Sequence, residues 1–252
     1  MPDSKLTVKT LSGLSDTLAR VGGLLISLSG LAYLVGYRIE GYYLSQAGAS
    51  WVLGLLSTSE IIREGQVVIV PIGFTLFLSI LNIFEKNIPS EKLKRIDLTL
   101  GIISLSFLGA AYLTSMYWDN YALDYGLSIL AGIIMAAAAG FTIGELIVRL
   151  NESKNNWNGY HLKLLWFVYV SAIAFAPYFI GSNKANLDLD PKVSSLPAVS
   201  ITGEAISKWH LMRTIGNNYL LVTLVEKPAS REFRVVPIGS TIVIPSTSKN
   251  ES

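Results

Sequence analysis

The chain has 252 residues, 51% hydrophobic and only 15% charged, with no cysteine and a mean hydropathy of +0.46. An ordinary soluble domain carries about 25% charge; this composition excludes disorder, a disulfide scaffold, thiol chemistry and a cysteine-based zinc site. The formal net charge of +2 is too small to point to nucleic acid, and none is expected as a partner. What remains is an integral membrane protein whose first partner is the lipid bilayer.

The elements are read in chain order. Residues 1–20 form an amphipathic, helix-like N-terminal segment, and residues 21–181 a helical membrane domain. Five runs are long and apolar enough to cross about 30 Å of hydrocarbon: Val21 to Tyr37, Val67 to Phe84, Ile96 to Tyr117, Leu127 to Val148 and Leu164 to Ile180. Pro71 and Pro177 are expected near the ends of the second and fifth, where a missing backbone donor costs least. Between the first two runs, Tyr42 to Ile62 is moderately apolar and is a candidate interfacial or re-entrant sixth segment.

Orientation follows from Lys and Arg in the short flanks. Lys5, Lys9, Arg20, Lys86, Lys92, Lys94, Arg95, Arg149, Lys154 and Lys163 fall on one side; Arg38 and Arg63 are alone on the other. Ten against two predicts a cytoplasmic N-terminus in a cell inner (plasma) membrane. Five crossings then put the C-terminal region outside. If Tyr42 to Ile62 crossed as well, that region would return to the cytoplasm. Tyr37, Tyr42, Tyr43, Trp51, Tyr117, Trp118, Tyr121, Tyr125, Trp157, Tyr160 and Trp166 read as interfacial belts.

The fourth run carries the clearest pattern. Ser128, Gly132, Ala136, Gly140 and Gly144 recur every fourth residue, and Ala137 to Ala139 widen the smooth face. Small residues let helices approach closely in lipid, so this stripe is a groove for another helix, in the same chain or in a neighbouring copy. Ser29, Ser104, Ser106 and Thr114 bond to their own backbone or line a narrow wet path. Glu145 is the one ionisable residue expected inside a span, with Arg149 one turn on as its partner.

After Ile180 the composition changes. Residues 182–197 read as a linker without helical periodicity, and residues 198–252 as a small all-β domain with a flexible end. Its strands are expected at Ala198 to Ile201, Ile206 to Ile215, Tyr219 to Glu226, Arg231 to Pro237 and Ser240 to Ile244. About 55 residues make a marginal core, so this domain should lean on the bundle or on copies of itself. Lys208, His210, Arg213, Arg231 and Arg234 form a candidate surface for an anionic ligand or a protein partner. Interleaved Glu204, Glu226 and Glu232 favour a plain solvated face.

The search for chemistry is negative. No zincin, P-loop or nucleophile-elbow motif occurs, His161 and His210 fall on different domains, and Ser50 reads as a turn or cap residue. No catalytic residue, cofactor or metal is expected. In architecture, several spans followed by a small soluble β domain, the chain resembles multi-span membrane effectors and sensors of bacterial anti-phage defence. The Gly36 to Gly48 stretch (GYRIEGYYLSQAG) also resembles a recurring element of bacterial membrane proteins. That resemblance implies a non-enzymatic homo-oligomer that forms a pore or a membrane-perturbing or sensing assembly under control of its β domain. The alternative is a membrane-anchored binding module whose β domain recruits a protein or envelope partner.

Overall fold

The computed structural model describes residues 4–84, 90–118, 120–152, 163, 166, 170–201, 208–225 and 230–244. Helix α1 (Ser4–Ala47) takes in both the N-terminal segment and the first apolar run. It stops where Gly48 takes φ 86°, a left-handed backbone that glycine adopts without a Cβ penalty. Ala49 N–H donates to Leu44 O and Gly48 N–H to Ser45 O, the paired bonds that close a helix C-terminus. A six-residue 3-10 turn, Ser50–Leu55, follows. Helix α2 (Thr58–Phe84) then starts on a capping box: Glu60 N–H donates to Ser57 Oγ while Ser57 N–H donates to Glu60 Oε2. Tyr42 to Ile62 is therefore a corner between two helices and not a sixth crossing. Because α2 begins nine residues before the apolar run, Pro71 lies inside it and not near its end.

Helix α3 (Ser90–Tyr117) turns back into α4 (Tyr121–Glu152), where Leu123 N–H donates to the Asn120 side chain. The chain re-enters the described region as a π turn, Val170–Phe175, and continues as α5 (Ala176–Leu189). Pro177 sits in the first turn of α5, and the wide turn before it accommodates the missing donor. The helix reaches Leu189, so the first half of the expected 182–197 linker is helical. Among the described residues three helical stretches, not five, are long and apolar enough to cross a membrane: Thr58–Ser79, Arg95–Tyr117 and Tyr121–Leu146. Val21 to Tyr37 and Leu164 to Ile180 are not among them. Side chains of residues 4–22 and most of residues 153–169 lie outside the described set, and the ends of α1 and α5 carry Arg38, Glu40, Lys184 and Asp188.

Helix α4 packs against α3, α2 and α5, while α1 lies against α2 and α5. Glycine decides the closest approaches. A Cβ on Gly36 would stand 1.8 Å from Ile61 O, and one on Gly65 would stand 1.9 Å from Ala32 O. Helices α1 and α2 thus touch backbone to backbone.

Five strands follow: β1 (Ala198–Ile201), β2 (Trp209–Ile215), β3 (Asn218–Thr223), β4 (Phe233–Pro237) and β5 (Thr241–Ile244). All pairings are antiparallel, in the order β4-β3-β2-β1-β5. Only Ile238–Ser240 separates the two edge strands in the chain. In a flat sheet those edges would be about 19 Å apart, whereas the link spans at most about 14 Å. The sheet must curl. Inside the curl, Val199, Ile201, Trp209, Leu221 and Val236 form one core. Leu220 and Val222 alternate to the other face and join Met212 and Ile215 against Leu44, Ala47, Val52 and Leu189 of the bundle end.

Candidate functional site at the junction of the bundle and the sheet

The sheet sits on one end of the bundle, over the α1–α2 corner and the last turns of α5. An extra residue in β2, Met212, breaks the register between Leu211 and Arg213. Such a bulge re-aims the next side chain, and here Arg213 Nη2 donates to Glu40 Oε1 of α1 at 2.5 Å. The same nitrogen lies 3.6 Å from Glu64 Oε1 of α2. Glu64 in turn accepts from Lys184 Nζ of α5 at 3.1 Å. Four charged side chains thus join β2, α1, α2 and α5. The Glu40 and Arg213 side chains are only 1% and 11% exposed, which makes this a buried junction and not a surface pair.

Burial raises the Glu40 pKa, opposed by Arg213 beside it. Burial would lower the Arg213 pKa, but the hydrogen-bonded Glu40 carboxylate, Glu64 and Tyr43 together raise it. A turn farther along α1, the buried Tyr43 hydroxyl donates to Asp188 Oδ2 of α5 at 3.1 Å. Burial raises the Asp188 pKa and lifts Tyr43 well above the ordinary phenol value, with Asp188 adding to the latter. Tyr43 is therefore structural, not a belt residue.

The five basic side chains expected on one β surface do not stay together. Arg213 turns down into the junction. Arg231 reaches the last carbonyls of α1, Gln46 O at 3.4 Å and Ala47 O at 3.5 Å, where a cation favours a helix C-terminus. Lys208 pairs with exposed Glu232 at 2.6 Å, and Lys208 and Arg234 both lie over the Trp209 ring. His210 lies next to this pair, and burial lowers its pKa. His161 lies outside the described residues. Among the described residues no group of three or more His, Asp or Glu could hold a metal.

The α4 stripe is filled from within the chain. Asn183 of α5 donates to Ser128 Oγ at 2.7 Å, and a Cβ on Gly132 would stand 2.9 Å from Ile180 Cδ1. Ala136 is buried among residues of α1, α2 and α5. A Cβ on Gly140 would stand 1.9 Å from Thr75 Oγ1, and one on Gly144 2.4 Å from Ser79 Cβ. Three of the four hydroxyls considered for a wet path are also engaged. Ser104 donates to Ala131 O across the α3–α4 seam, Ser106 to Ile102 O, and Thr114 faces the buried Asp124 carboxylate.

Glu145 is buried, and the Arg149 side chain is outside the described set. Sequence reasoning missed Asp97, buried and bonded by Thr142, and Asp124, buried at the start of α4. It also missed Glu40, Glu64 and Lys184, although each is a charge set at the edge of an apolar run. Comparison with known protein families, characterised proteins and solved structures finds no match.

Proposed function

We propose that the protein is a non-enzymatic membrane module that holds its small β domain on the bundle end and presents it to a protein or envelope partner. In this reading the runs Val21 to Tyr37 and Leu164 to Ile180 cross alongside the three apolar helices, giving five crossings. The β domain then lies outside the cytoplasm. It is on the same end as Arg38, Arg63 and Trp118, the Lys/Arg-poor side by the flank count.

One observation carries the proposal: the Glu40–Arg213–Glu64–Lys184 chain beneath the sheet. Burying charges costs several kcal/mol per ion unless they are paired, so this junction fixes the sheet in one orientation where a tether would not need it. The pore reading has lost the seam that motivated it, since the stripe of α4 is covered by α2 and α5 of the same chain.

The test is topological. In this cysteine-free chain, Asn217→Cys places a single thiol on the exposed β2–β3 turn. An impermeant maleimide should label it in intact spheroplasts. Labelling only after lysis would reverse the orientation and defeat the presentation of the sheet to an external partner. The same protein should show no single-channel conductance in a planar bilayer.

A further inference from the structure

Two clefts adjoin at the rim of the junction. The lower, of about 360 Å³, opens between the outer ends of α1, α3 and α5. Its wall is aromatic: the Tyr178 ring lies edge-on to Tyr42 and to Phe179, each with centroids 5.2 Å apart. Tyr112 and Ser115, both exposed on the last turns of α3, form the side toward the bilayer.

The upper cleft, of about 420 Å³, lies beneath the β4 approach and holds Arg231, Lys192 and Asp190. Gln46 and Asn186 line both clefts, and Gln46 Nε2 donates to Asn186 Oδ1 at 3.1 Å, so one amide bridge joins the two spaces. Asp190, the one carboxylate in the lining, accepts the Lys192 backbone N–H at 2.7 Å. Among the described residues neither Arg231 nor Lys192 pairs with a carboxylate. The Arg231 Nε is buried without a hydrogen-bond acceptor. A half-buried guanidinium in that state lacks an anion.

We propose that the paired clefts hold one phospholipid with an anionic headgroup. Its phosphate meets Arg231 and Lys192 above, its glycerol region lies at the Gln46–Asn186 amides, and its chains start along the aromatic wall. The vertical order fits: cations and amides lie nearest the sheet, rings and the exposed α3 face nearest the hydrocarbon. The inference requires only that the bundle be embedded in a membrane; it stands whether or not the sheet recruits a partner.

Native mass spectrometry of the purified full chain in detergent tests it, with phosphatidylglycerol and phosphatidylcholine as probes. The wild type should retain one phosphatidylglycerol about tenfold more tightly than phosphatidylcholine, the usual worth of a charge-assisted contact. Arg231→Gln should abolish that preference. Ser115→Phe, which fills the lower cleft without altering charge, should weaken retention of both lipids, and it decides the matter if Arg231→Gln fails to fold. No retained lipid, equal retention of the two lipids by the wild type, or unchanged binding by Ser115→Phe would overturn the proposal. Displacement of the lipid by millimolar inorganic phosphate would do so too, by making the free anion the ligand.

Discussion

Between α1 and α2 the helices meet through Gly36 and Gly65, with backbone standing where side chains would otherwise be. Between α1 and the sheet, about 6 Å farther along the helix at about 1.5 Å per residue from Gly36 to Glu40, contact passes through long charged side chains, Glu40 to Arg213. The first seam gains dispersion contacts and buries no charge, so it costs little to assemble in lipid. The second pays for removing ions from water and recovers that cost only when every partner is in place. Tolerance should differ accordingly. Glycine seams fail when something is added, whereas the junction fails when something is taken away.

Adding bulk should have the largest effect at Gly36. Gly36→Leu would drive a side chain into the Ile61 carbonyl, which is backbone and cannot swing aside, and no folded protein should be recovered from detergent. Folded, wild-type-like Gly36→Leu would mean that α1 and α2 do not pack this closely. At Gly140, where the nearest atom is the Thr75 hydroxyl, Gly140→Ala should cost about 1–3 kcal/mol. Thermal stability should fall with no change in particle mass, since α2 of the same chain fills the site. A fall in mass would assign the stripe to a neighbouring copy. Gly126→Ala, with open space around it inside α4, should lose nothing and gain about 0.5–1 kcal/mol from the better helix former.

The smallest effect is on the pH dependence of stability. Burial raises the Glu40 and Asp188 pKa values above their ordinary 4.5 and 3.8, so the folded state binds protons more tightly than the unfolded state. That contribution is fully present below the ordinary values and is lost as pH rises through the raised ones. The Tm of the wild type should therefore decline as pH rises above about 4.5, and Glu40→Gln should flatten the slope. A steeper decline in Glu40→Gln would contradict the raised Glu40 value.

The two kinds of contact were unequally legible in the sequence. A four-residue recurrence such as Ser128 to Gly144 is local, and helix geometry turns it directly into a face. The strand positions were similarly legible from short β-rich runs and the turn residues between them, as Gly216 to Asn218 illustrate. Arg213 and Glu40 are 173 positions apart, and no periodicity links them; only the β2 bulge brings them together. The α1–α2 corner was readable and was missed: Gly48 and the Ser57-x-x-Glu60 box mark a helix end and a helix start. Its moderate hydropathy drew attention away from those caps. The extent of α5 was hidden for another reason. Asn183, Lys184 and Asp188 look like loop residues, but each is held by a partner on another helix.

The central claim is that Glu40 and Arg213 lock the sheet to the bundle, and a double-mutant cycle tests it most directly. Arg213→Met alone leaves Glu40 buried beside an apolar side chain and should cost about 3–5 kcal/mol. Adding Glu40→Met should restore much of that loss, giving a coupling of about 2 kcal/mol in denaturant unfolding of the detergent-solubilised chain. Additivity of the two substitutions within about 0.5 kcal/mol would contradict the lock and leave the sheet a passenger on the bundle.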